Sequence, residues 1–173
     1  MNEMKTTPLL QSQLGIYLTC RRLGGTAYNQ HWLYTLDSAV DPARLAAAIE
    51  RVMAFYPSLN TRVREQDGQP VQYLPEEGDP YCQQVENMTE EQWEREKEEL
   101  VSRPMELEDS RLISFHVVQT ERAKYLFQTA HHILFDGRSM QRLADAVSAV
   151  YEGNEPGAER RTVLDAAAAE AEE

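Results

Sequence analysis

The chain has 173 residues, 17 Lys and Arg against 29 Asp and Glu, and a formal charge of -12. That length and 42% hydrophobic residues suit one compact domain, or one lobe of a larger one, with enough apolar material for a real core. The negative balance repels phosphate backbones and excludes nucleic acid as an expected partner. No apolar run approaches the roughly 20 residues of a membrane span, and MNEMKTTPLL lacks the charged-then-apolar layout of a secretory leader, so a cytoplasmic protein with no membrane contact is expected. Cys20 and Cys82 have neither metal nor redox spacing and read as reduced, partly buried thiols.

In chain order, TPLLQSQLGIYLTCRRLG reads as a first helix with Thr7 as N-cap, Pro8 at the first helical position, and Leu10, Leu14, Tyr17 and Leu18 on one side, ending near Gly24-Gly25. NQHWLYTLDS suits a strand. DPARLAAAIERVMAFYP has Asp41 as cap, Pro42 in the first turn and Leu45, Ile49, Val52 and Tyr56 at helical spacing, stopping before Pro57. LNTRVREQDGQPVQYL alternates about Asp67-Gly68 as a hairpin. The next helix starts from Thr89 with a capping box to Gln92 and a staple from Met88 to Trp93, and Pro104 ends it. RLISFHVVQT and KYLFQTAHH are two strands about a short charged turn. SMQRLADAVSAVYEG is a helix with Met140, Leu143, Val147 and Val150 on one face. Beyond Gly153, residues 154–173 read as a linker or a frayed helix with little to bury. Irregular alternation of helices and strands makes the fold class α/β of the α+β type, a mixed sheet flanked by helices. No Gly-rich phosphate loop is present.

The chemistry concentrates in AHHILFDGRSM, residues 130–140. Neighbours on an extended segment point to opposite faces, so His131 and His132 are poorly placed to chelate one metal, and no metal site is expected. His131 shares its face with Tyr125, Phe127 and Thr129, a bulky set suited to a structural histidine. His132 shares its face with Leu126, Gln128 and Ala130, which makes it the better chemical candidate. The apolar Ile133-Leu134-Phe135 run predicts a loop packed inside. A buried Asp136 then needs a partner, and holding the loop through an arginine or backbone amides is its first expected role. Gly137 is expected to supply a turn other residues resist, and Ser139 to stand at the N-cap of the following helix. No GxSxG elbow is present to support a Ser-His-Asp hydrolase.

HHILFDGRS resembles the HHxxxDGxS signature of condensation domains of nonribosomal peptide synthetases, whose fold is like that of chloramphenicol acetyltransferase, at His131, His132, Asp136, Gly137 and Ser139. LLQSQLGIYL is similar to the family's opening helix through Gln13, Gly15 and Tyr17. RVMAFYPSLNTRV is similar to its second motif through Arg51, Leu59 and Thr61. The resemblance covers residues 6–153 and implies the amino-terminal lobe of a condensation domain, with 154–173 a linker or the frayed start of a carboxy-terminal lobe. Where the family pattern has Leu-Arg, with an arginine that bridges to the motif's aspartate, this chain has Leu59-Asn60. Arg62 is the expected replacement and Arg64 the second choice.

The resemblance further implies amide-bond formation between a donor acyl or peptidyl thioester and an acceptor aminoacyl thioester. Both ride on phosphopantetheine arms of upstream and downstream peptidyl carrier proteins, and no cofactor is bound by the lobe itself. His132 would receive the amine's proton or position the amine. A coenzyme A-dependent acyltransferase of the same fold, an epimerisation domain and a non-catalytic carrier-docking lobe are the alternatives. The isolated lobe is expected to be inactive.

Overall fold

The computed structural model describes residues 6–75, 80–158 and 162–171. Strand β1 (Thr6–Pro8) precedes helix α1 (Gln11–Leu23), strand β2 (Asn29–Leu36) and helix α2 (Pro42–Phe55). A short 3-10 turn at Pro57–Asn60 leads to the hairpin of β3 (Arg62–Gln66) and β4 (Gln69–Tyr73). Then follow β5 (Val85–Asn87), α3 (Glu90–Ser102), β6 (Ile113–Gln119), β7 (Lys124–His131), α4 (Gly137–Tyr151) and α5 (Val163–Ala171).

The strands form two sheets. One is antiparallel, in the order β1-β4-β3; the other runs β2-β7-β6-β5, with only the β5–β6 pair parallel. The α+β class with a mixed sheet flanked by helices is therefore the observed one. Period-2 alternation sends the two faces of the larger sheet to different partners. Ile113, Phe115, Val117 and Ala130 pack under α2 and α4, against Ile49, Val52, Met53, Met140, Leu143 and Val147. Val118 and Phe127, on the opposite face, are covered by Trp93 of α3. A third cluster joins Leu9, Tyr17, Val63, Leu107, Leu112 and Ile133 beside the smaller sheet.

Local chemistry accounts for most boundaries. Asp41 Oδ1 accepts from the N–H groups of Ala43 and Arg44 at 2.9 and 3.3 Å, and Pro42 opens α2. Thr89 and Gln92 satisfy each other's amides at 2.8 and 3.1 Å to start α3, and Met88 packs on the Trp93 cluster. Asp67 and Gly68 both take positive φ, 52° and 76°, the turn a two-residue hairpin requires.

Three expectations are corrected. Thr7 and Pro8 do not start α1; they lie in β1, opposite Gln72 and Val71, where an edge strand tolerates proline. The helix begins at Gln11, and the Leu10 N–H is satisfied by Gln13 Oε1 at 2.8 Å. Cys20 is half-buried as expected, but Cys82 is exposed. The stretch read as a linker or frayed helix contains α5, which packs against β1 with Ala167 buried; its positions 159–161 and 172–173 lie outside the described residues. No described helix is long and apolar enough to cross a membrane.

Candidate active site

Strand β7 delivers the histidine pair to the mouth of the sheet. The backbone N–H of His131 donates to Leu112 O at 2.9 Å, and that of His132 donates to Tyr28 O at 2.8 Å. The two rings then part company: His131 is buried and His132 is exposed.

The His131 ring accepts the Ile133 N–H at Nδ1, 3.2 Å away. The hydrogen of the neutral ring therefore sits on Nε2, which faces Cys20 Sγ at 3.7 Å. Burial, helped by the neighbouring His132, pushes the His131 pKa down to about 4. This ring is a neutral structural group at neutral pH.

His132 has the opposite tautomer. Its Nδ1 lies 2.8 Å from the Phe135 carbonyl. A carbonyl can only accept, so Nδ1 carries the hydrogen and the Nε2 lone pair is left without a hydrogen-bond partner among the described residues. An exposed imidazole with an anchored Nδ1–H and an open Nε2 is equipped to take a proton.

The segment between the histidines and α4 is held from both sides. Leu134 and Phe135 N–H groups share the His131 carbonyl, each at 3.2 Å. Ile133 enters the cluster of Leu9, Tyr17 and Val63, Phe135 enters the α2/α4 core, and Leu134 touches both. The apolar run is thus the anchor that the sequence predicts. Beside it a cleft of about 720 Å³ is lined by Leu59, Leu134, Phe135, Ser139, Arg142 and Ala146, among others.

Asp136, Gly137, Ser139 and Arg62 need correction in their local wiring. Asp136 is exposed rather than buried. It is the N-cap of α4, with Oδ1 accepting the Ser139 N–H and the Ser139 Oγ–H, both at 2.7 Å. The Ser139 hydroxyl and then its amide hold the Asp136 carboxyl below its usual range. Ser139 is consequently the third helical residue, not the cap. Arg62 donates to Asp109 O at 3.2 Å, and Arg64 pairs with the Asp109 carboxylate at 2.8 Å. Neither arginine meets Asp136, because β3 directs both to the turn at Asp109 while Asp136 sits at the head of α4. Gly137 opens α4 without positive φ, and a Cβ there would meet no atom within 4 Å. The turn does not demand glycine; the space in front of Gly137 is open. Among the described residues no group of His, Cys, Asp and Glu side chains is arranged to hold a metal ion.

Sequence reasoning missed the backbone acceptors Tyr28 O and Phe135 O. No side-chain pattern marks them, since they depend on where β2 and the loop meet in space.

The two sheets, their helical cover and a histidine at the strand-to-helix turn define a lobe of the chloramphenicol acetyltransferase-like fold, the architecture of acyltransferase-type enzymes. The condensation-domain family model matches residues 3–170, and the chain belongs to that family. It is 31% identical over 132 residues to gramicidin S synthase 2 of Brevibacillus brevis, a match covering 76% of this chain and 3% of that protein. It is 27% identical over 130 residues to surfactin synthase subunit 2 of Bacillus subtilis (strain 168), covering 75% of this chain and 4% of that one. In three dimensions it resembles the starter condensation domain of rhizomide synthetase RzmA, with a TM-score of 0.79 at 21% identity, over 97% of this chain and 43% of that chain. The X-domain from teicoplanin biosynthesis superposes with a TM-score of 0.80 at 21% identity, over 99% of this chain and 39% of that one. The chain therefore spans a few per cent of these synthetases and less than half of the condensation-type structures.

Proposed function

We propose that residues 6–153 act as the amino-terminal lobe of a condensation domain that joins a donor acyl or peptidyl group to an acceptor aminoacyl group, both held as thioesters on phosphopantetheine arms of carrier proteins. In this reading residues 154–173 lead towards a carboxy-terminal lobe that completes the substrate tunnel. The observation that carries the reading is the exposed His132 ring, fixed at Nδ1 and open at Nε2.

In the reaction the acceptor amine attacks the donor thioester carbonyl. The new C–N bond forms, the C–S bond breaks, and the donor arm leaves as a thiolate that takes up a proton. His132 Nε2 receives the proton the amine nitrogen loses, while the Phe135 carbonyl stabilises the resulting imidazolium through Nδ1–H. His131, neutral and buried, holds the loop. Asp136 and Ser139 cap α4 and fix the far end of the loop. The open space before Gly137 admits the thioester, and its backbone N–H polarises the carbonyl. Two tethered substrates in one tunnel gain their largest acceleration from proximity.

The test uses a full condensation domain containing this chain, with both carriers loaded, and follows acyl transfer by intact-protein mass. Product on the downstream carrier is expected from loaded carriers, and none with acyl-coenzyme A as sole donor. The 173-residue chain alone is expected to give none. Transfer from acyl-coenzyme A to a free amine or hydroxyl, with no transfer between carriers, would replace this reading with the coenzyme A-dependent one.

A further inference from the structure

Gln13 of α1 and Gln72 of β4 face each other in the interior, 4% and 0% exposed. They exchange two hydrogen bonds: Gln13 Nε2–H donates to Gln72 Oε1 at 3.1 Å, and Gln72 Nε2–H donates to Gln13 Oε1 at 3.0 Å. The surrounding backbone fixes which way both amides point. The Leu10 N–H requires an acceptor and finds Gln13 Oε1 at 2.8 Å. The Pro8 carbonyl takes a hydrogen from Gln72 Nε2 at 3.1 Å, and the Ile133 carbonyl takes one from Gln13 Nε2 at 3.2 Å. Both donor hydrogens of each glutamine, and both lone pairs of Gln13 Oε1, are thereby used.

The Ile133 end of this network lies inside the histidine loop. Ile133 follows His132 directly and is two residues before Phe135, whose carbonyl holds the His132 ring. Ile133 is 3% exposed, so water does not readily replace Gln13 as donor to its carbonyl. Asp136 secures the other end of the same turn through Ser139. The acceptor that selects the His132 tautomer is thus suspended between a carboxamide pair and a helix cap.

We propose that Gln72, acting through Gln13, is a positioning residue for His132. Gln72 orients the Gln13 amide, Gln13 fixes the Ile133 carbonyl, and the loop so fixed presents Phe135 O to His132 Nδ1–H. Neither glutamine touches the reacting atoms. Only a carboxamide at position 72 can donate to Pro8 O and Gln13 Oε1 while accepting from Gln13 Nε2. The catalytic consequence rests on the condensation reading; the geometric one does not.

The test reads the imidazole nitrogens of the chain by 15N-edited NMR. The wild type is expected to show hydrogen on Nδ1 of His132 and on Nε2 of His131. Gln72→Met keeps the length and removes the amide; its His132 signals are expected to move towards a mixture of tautomers. In the full condensation domain the same change is expected to lower kcat by roughly 100-fold, the scale of a small misplacement of a reacting group, with KM unchanged. If Gln72→Met does not fold, Gln72→Asn, which withdraws the amide by one methylene, is read in the same way. A folded variant that melts lower but keeps wild-type His132 signals would overturn the proposal, leaving the pair a purely structural contact. Moved His132 signals, with no acyl transfer even by the wild-type full domain, would uphold the positioning and sink the condensation reading instead.

Discussion

At His132 one hydrogen bond to a backbone carbonyl decides which nitrogen can do chemistry, and at His131 one bond from a backbone amide decides the reverse. The split between a buried ring and an exposed one was legible in the strand's alternation, since adjacent residues face opposite ways. The partners that enforce it were not, because Tyr28 O, Phe135 O and Gln72 are contributed by distant elements or by main chain. Asp136 teaches a different lesson. Asp-x-x-Ser just before an apolar helix is itself a capping pattern, and the residue that bonds Asp136 lies three positions away rather than on β3. A pH prediction belongs at this scale. The His131 pKa of about 4 lies below the ordinary 6.5 of an unfolded histidine, so between those values the unfolded chain binds more protons and stability falls as pH is lowered. The loss from this group begins below about pH 6.5, is complete below about pH 4, and amounts to about 3 kcal/mol. Urea unfolding from pH 7 to pH 4 should show it in the wild type, and His131→Asn should flatten that part of the profile.

Among the elements, α2, α3 and α4 declare themselves through caps and apolar spacing, and the Asp-Gly hairpin through its turn chemistry. The two missed strands have physical reasons. β1 and β5 are three residues each, too short to show a period, and β5 pairs parallel with a strand 32 positions on, Val85 opposite Val117. α5 was read only as a linker or frayed helix because its alanine-rich composition carries no amphipathic stripe; its docking on β1, with Ala167 buried, is a long-range contact. α3 is the element whose attachment depends most on one residue. Its Trp93 is 0% exposed, stacks on Tyr125 at 5.6 Å and meets Phe127 edge-on at 6.0 Å. Trp93→Ala should cost about 3–5 kcal/mol of unfolding free energy, measured by denaturant titration. The imidazole signals of His132 should stay in place in the folded variant, because α3 covers the face of the sheet away from α4.

Across the whole molecule the histidine loop is the joint where separate cores meet. Leu134 touches both the α2/α4 core and the cluster under α1, so packing on either side bears on where His132 stands. The family resemblance was legible because its motif residues are local in sequence, whereas the architecture around them needed long-range pairing to be seen. The chain matches less than half of the RzmA starter condensation domain, and β2 leaves Leu33 and Tyr34 exposed along the edge of the larger sheet. The central claim, that His132 Nε2 handles the proton of amide formation, meets its most direct test in one rate comparison. In a full condensation domain containing this chain, with both carriers loaded, the single-turnover rate of acyl transfer is measured by rapid quench for wild type and His132→Ala. A fall of about 100- to 10,000-fold, the range of general-base assistance, is the predicted result. A rate for His132→Ala within a few-fold of wild type would contradict the claim and return His132 to a structural part of the loop.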